Sequence, residues 1–133
     1  MYASGADHPN KAPAVRFLER FGSGELEAAV DADVLQEIIH RYRALNRWDQ
    51  GRQVYVLTRT LFPDVLPVTG EVMDRAKQLL DRDNSLSARD AVHAAVVVVY
   101  GLDGILTFDL DFDRIPGCKR IQFAQDCSAS KAL

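Results

Sequence analysis

Three aspartates at every second position, Asp109, Asp111 and Asp113, follow the short apolar run Ile105-Leu106-Thr107-Phe108 in "DGILTFDLDFDRIPG". Carboxylates brought together where a buried strand ends can hold a hard cation or carry protons. An Asp-x-Asp-x-Asp run also opens the calcium loop of EF-hands, which needs Gly at its sixth position and Glu at its twelfth. Counted from Asp109, those positions are Arg114 and Arg120, so that loop is excluded. A solvated acidic turn is the plain alternative. A site requires further carboxylates, delivered by other elements.

Two are candidates. Asp90 lies three residues after Ser87, at the start of "SARDAVHAAVVVVYG". There a carboxylate can close a capping box and favour the helix dipole, which explains it without function. Glu37 lies inside "DADVLQEIIHRYRALNRW", where pairing with Arg41 one turn on is the structural explanation. If Glu37, Asp90 and Asp109 converge, their repulsion calls for bound cations or raised pKa values. An all-oxygen set favours Mg²⁺ or Mn²⁺. Two such ions about 4 Å apart can activate water and stabilise a leaving oxygen in phosphodiester cleavage. Thr107 offers a hydroxyl nearby, or is an ordinary β-branched strand residue.

The elements that must position these groups alternate. Helices are expected in "KAPAVRFLERFGSG", stopped by Gly22 and Gly24, and in "DADVLQEIIHRYRALNRW", capped by Asp31 or Asp33. Further helices are expected in "GRQVYVLTRTLF", "GEVMDRAKQLLDRD" and "SLSARDAVHAAVVVVYG". The valine run would suit a strand, but the Ser-x-x-Asp start and the Gly101 stop argue for a buried helix. Strands are expected in "ELEAAV", at 65–69 with Pro67 weakening it, in "GILTF" and in "CKRIQF". Such alternation implies a parallel sheet covered by helices, with ligands bound beyond the carboxyl ends of the strands.

Composition bounds the rest. The chain has 133 residues, 47% hydrophobic and 26% charged, as expected for one globular domain. Its longest apolar run, "AVVVVY", is far short of a membrane span, and there is no signal-peptide pattern. Cys118 and Cys127 lack metal or redox spacing and read as free thiols in a reducing cytoplasm. A net charge of −3 argues against a simple nucleic-acid binder but allows an enzyme that takes up cations first. His93 reads as a core or interface histidine, and His8 and His40 show no zinc spacing. Arg41, Arg43 and Arg47 could meet RNA phosphates or form a solvated face; Trp48 and Tyr42 read as packing residues. No phosphate-binding glycine loop or nucleophile elbow is present.

Together, "VLQEIIHRY" and "LSARDAVHAAVVVVYGLDGILTFDLDFDRIPG", preceded by "YASGADHPNKAPAVRFLERF", resemble the PIN domain, in particular the VapC-type ribonuclease toxins. The resemblance covers about residues 1–123 and leaves 124–133 as an expected flexible tail. It implies a three-layer α/β/α fold with a central, mainly parallel sheet, and Mg²⁺- or Mn²⁺-dependent hydrolysis of RNA. Glu37, Asp90 and Asp109 match the family's second, third and fourth acidic positions, Asp111 resembles an auxiliary one, and Asp113 a turn residue. Arg41 and Thr107 are the candidate RNA contacts. The resemblance further implies a cognate antitoxin, a homodimer and a cytoplasmic location.

The family's first strand and first acidic residue have no counterpart here; "MYASGADHP" resembles the end of the family's first helix, and Asp7 falls after that helix. A start upstream of Met1, a catalytically impaired PIN-like module that binds RNA or a protein, and a strand supplied from elsewhere, including another copy, are the alternatives.

Overall fold

The computed structural model describes residues 7–122 and 131–133. Cys127, residues 124–130 of the expected tail and Phe123 at the end of the expected fourth strand lie outside them. Five α-helices occur among the described residues: α1 (Lys11–Gly22), α2 (Ala32–Ala44), α3 (Trp48–Leu61), α4 (Gly70–Arg82) and α5 (Ala88–Val99). The strands are two residues each: β1 (Glu27–Ala28), β2 (Val30–Asp31), β3 (Val65–Leu66), β4 (Ile105–Leu106), β5 (Arg120–Ile121) and β6 (Lys131–Ala132). No helix among the described residues is long and apolar enough to cross a membrane.

Every strand pairing is parallel. β2 pairs with β3, β1 with β6, and β4 with β5, and a parallel bridge between Gly104 and Ala132 ties β6 to the start of β4. β6 therefore lies between β1 and β4. Ala29 N–H donates to Ala132 O at 2.8 Å, Leu133 N–H to Gly104 O at 3.1 Å, and Leu106 N–H to Leu133 O at 2.9 Å. β6 and Leu133 are the last three residues of the 124–133 expected as a tail. The facing edges of β1 and β4 carry backbone groups that need partners, and an extended segment supplies them while burying Ala132.

Local chemistry sets the helix starts. Asp31, not Asp33, caps α2, accepting the Val34 N–H at 3.0 Å. Thr69 caps α4 and Ser87 caps α5. Gly101, at φ 62°, ends α5 in the left-handed region that favours glycine. α4 presents Val72, Ala76 and Leu79 to Ala91, Ala94, Ala95, Val96 and Val97 of α5, and Ile105, Phe112, Ile115 and Cys118 complete this core. Each fully buried valine contributes roughly 1.5–3 kcal/mol, which outweighs the modest strand preference of the run. Pro67 ends β3 after Leu66, shorter than the expected 65–69, and its carbonyl accepts the Tyr100 hydroxyl at 2.8 Å. The expected "ELEAAV" strand is interrupted at Ala29, giving β1 and β2.

Candidate active site

α5 is the hub to which the candidate residues lead. Its cap is made by one hydroxyl: Ser87 Oγ accepts the Asp90 N–H at 3.1 Å and donates to Asp90 Oδ2 at 2.6 Å. The capping role of Asp90 is thus realised, and its partly buried carboxylate sits at the positive end of the helix dipole.

Glu37 meets α5, not its own helix. The expected pair with Arg41 gives way to Arg89, whose Nη1 donates to Glu37 Oε1 at 3.0 Å. Arg89 Nε also lies 3.7 Å from Asp33 Oδ2. The reason is spacing: Asp33 and Glu37 stand one turn apart on α2, Arg89 and His93 one turn apart on α5, and the two rows face each other. Arg41 is exposed in the last turn of α2.

Below these charges lies a buried pair that sequence reasoning missed. Asp31 is fully buried, and its Oδ2 meets His93 Nδ1 at 2.7 Å, while His93 Nε2 is 3.5 Å from Asp33 Oδ2. Burial alone would lower the His93 pKa. The hydrogen bond and charge of Asp31, with the charges of Asp33 and Glu37, more than reverse this and raise it. His93 is a core histidine, as its apolar helix suggests. The signal for its partner was the first aspartate of "DAD", which the capping argument alone did not separate from the second.

The acidic run after β4 is differentiated. Asp109, exposed, caps a 3-10 helix at Leu110–Arg114 by accepting the Asp111 N–H at 2.9 Å. Thr107 Oγ1 accepts the Asp109 N–H at 3.1 Å, fixing the turn. Asp111 accepts from Arg114 at 3.0 Å, and Arg114 also donates to Ser85 Oγ at 3.1 Å, which ties this segment to the loop before α5. Asp113 is more than a turn residue: Arg120 grips both its oxygens, at 2.9 and 3.1 Å.

Glu37 and Asp90 are thereby brought to one end of α5, and the Asp109–Asp111 segment is linked to the same end through Arg114 and Ser85. The oxygen donors have the chemistry for a hard divalent cation. Their arrangement does not form its ligand set: among the described residues, no three His, Cys, Asp or Glu side chains are grouped to hold a metal ion. Glu37 is engaged by Arg89 and Asp90 by Ser87.

Five helices with short parallel strands are consistent with a PIN-type α/β protein. The PIN domain family model matches residues 1–117, and the chain belongs to that family. It is 40% identical over 121 residues to the VapC ribonuclease Mb1869c of Mycobacterium bovis and equally to ribonuclease VapC13 of Mycobacterium tuberculosis, covering 91% of this chain and 92% of each relative. Ribonuclease VapC23 of Mycobacterium tuberculosis is 33% identical over 109 residues, 82% of this chain and 86% of the relative. No solved structure matches the chain at a significant level.

Proposed function

We propose that this chain is an endoribonuclease of the VapC toxin type, cutting RNA phosphodiester bonds by hydrolysis. The carrying observation is 40% identity, across nine-tenths of the chain, to proteins named as VapC ribonucleases. In this reading Glu37, Asp90 and Asp109 are the catalytic carboxylates, with Asp111 as an auxiliary. Water forms the new bond to phosphorus, one bridging P–O bond breaks, and the departing oxygen gains a proton. Arg41 and Thr107 contact RNA; Arg41, exposed at the end of α2, would pair with a phosphate.

Mg²⁺ or Mn²⁺ is the proposed cofactor, on the chemistry of the donors alone. Because those donors are not grouped, no catalytic step is drawn through it. The rest of the reading is a cytoplasmic homodimer held inactive by a cognate antitoxin. The ungrouped carboxylates favour a second reading, an impaired PIN-like module that binds RNA or a protein without cutting.

One assay separates the two. Purified protein is incubated with structured RNA and Mn²⁺ beside the Asp90→Asn and Asp109→Asn variants. Loss of cleavage by about 10²-fold or more in each variant is expected for groups that handle protons or charge at the reacting phosphate. An inactive parent that still binds RNA would move the assignment to the second reading.

A further inference from the structure

The connection between α2 and α3 carries a charge at odds with the rest of the chain. Residues 41–52 hold four arginines, Arg41, Arg43, Arg47 and Arg52, against one acid, Asp49. That is +3 in a chain of net charge −3, so all other residues together carry −6. The four arginines are exposed, and among the described residues their guanidinium groups form no ion pair or hydrogen bond. Arg41 and Arg43 have a local explanation, because cations suit the last turn of a helix. The other two have none. Arg47 occupies the N-cap of α3, makes no cap hydrogen bond through its side chain and puts a cation where the dipole disfavours it. Arg52 stands three residues after Asp49 without pairing with it.

The fold gathers part of this charge on one face. The short connection from Leu45 to Arg47 makes α2 and α3 antiparallel neighbours. Arg47 N–H donates to Tyr42 O at 2.9 Å, and Asn46 takes a left-handed φ of 54°, which fixes the turn. Tyr42 packs where a Cβ on Gly51 would stand. At about 100° per residue, the position after each contact in an antiparallel pair falls on the same side, which puts Arg43 beside Arg52. Trp48, Arg52, Tyr55 and Arg59 recur at i, i+4, i+7 and i+11 and extend that side along α3, with Trp48 and Tyr55 half-buried. Arg43 lies about 200° round α2 from Arg41, which continues the Asp33–Glu37 row facing α5. This outer face is therefore separate from the candidate active site.

We propose that the outer face of the α2–α3 hairpin holds RNA, its arginines pairing with phosphates and Trp48 offering a surface on which a base stacks. Charge complementarity selects the occupant: arginines without internal partners, interleaved with aromatic residues, fit a phosphate backbone with open bases. The choice of RNA among polyanions rests on the ribonuclease reading. The binding itself uses none of the carboxylates in that reading.

The test is RNA binding without cleavage, by fluorescence anisotropy of a labelled RNA stem-loop in EDTA over a series of salt concentrations. Arg43→Gln/Arg52→Gln is compared with the parent and with Arg16→Gln/Arg82→Gln, which removes the same charge from exposed arginines elsewhere. The Arg43/Arg52 variant is expected to bind about tenfold more weakly, with a salt dependence shallower by about two phosphate contacts, while the control stays within about twofold of the parent. Trp48 is the chain's single tryptophan, so its emission in the parent should be quenched as RNA binds, at the same midpoint. No binding by the parent, unmoved emission, or equal weakening in the two variants overturns the proposal. If circular dichroism shows that the Arg43/Arg52 variant does not fold, Trp48 emission in the parent decides. Polyglutamate competing as strongly as unlabelled RNA overturns the assignment to RNA in favour of an acidic protein. A parent that binds through this face yet cuts nothing with Mn²⁺ removes the ribonuclease reading and leaves the proposal standing. A parent that cuts, with the Arg43/Arg52 variant binding normally, does the reverse.

Discussion

At the scale of single residues, Asp31 does two jobs with two oxygens. Oδ1 caps α2 through Val34 and Oδ2 holds His93 of α5, 62 positions away. Breaking such a pair leaves a buried charge without its partner, so Asp31→Ala should lower the unfolding free energy by about 3–5 kcal/mol in a urea titration. His93 adds a pH dependence. Its pKa in the folded chain lies above the ordinary 6.5, so the stabilisation it provides is fully present below 6.5 and is lost as pH rises through the folded value. The groups facing it are Asp31, Asp33 and Glu37, with Arg89 one turn before it on its own helix. The denaturation midpoint should fall as pH is raised above 6.5, and the slope of that fall should flatten in His93→Gln. Cys118 follows from burial in the opposite way: loss of hydration pushes its thiol up to about 11, so alkylation at pH 8 should be slow until the protein unfolds. The types of these residues were legible in the chain. Their pairing was not, because a partner 62 residues distant leaves no periodicity to read.

At the scale of elements, the helices were legible where cap and apolar pattern agree, as in the Ser87–Asp90 start of α5, whereas Thr69, read as the end of a strand, caps α4 instead. The strands were legible as apolar runs, but their lengths were not. Two residues per strand reflect where neighbouring backbones stop matching, which side-chain pattern does not encode. The acidic run after β4 was read as a site residue, an auxiliary and a turn residue, and in the structure it divides into a cap at Asp109, a local pair at Asp111 and a clamp at Asp113 that reaches Arg120 in β5. Charge count gave no hint of that division; the arginines three and seven residues on were the missing half. Close approach is another element-level property. A Cβ on Gly104 would collide with the Lys119 carbonyl of the segment entering β5, a backbone atom that cannot move aside. Gly104→Ala should therefore destabilise by about 1–3 kcal/mol, the range of ordinary overpacking, measured by thermal melting. A Cβ on Gly51 would collide with Tyr42, which confirms Tyr42 as a packing residue between α2 and α3.

At the scale of the whole molecule, among the described residues, β6 joins β1 to the start of β4. Removing residues 131–133 would leave Ala29 and Leu106 N–H groups and the Gly104 carbonyl unpaired, at a cost of about 3 kcal/mol for three backbone bonds. Hydrogen exchange gives a sharper reading than melting alone: amides of Ala29 and Leu106 should lose protection in that truncation, while those in the middle of α5 keep theirs. The catalytic assignment depends on this closure, since β2 leads into the helix bearing Glu37 and β4 into the turn bearing Asp109.

That arrangement also dictates an order of events on the ribosome. Translation delivers β1, β2 and β3, and then β4 and β5, before β6 is made. Before β6 is made, β2 can pair with β3 and β4 with β5, while β1 lacks its partner among the described residues. Every nascent chain therefore passes through a stage in which its helices have emerged but Glu37 and Asp109 are not yet held by one sheet, and in which any other extended strand nearby can take the place meant for β6.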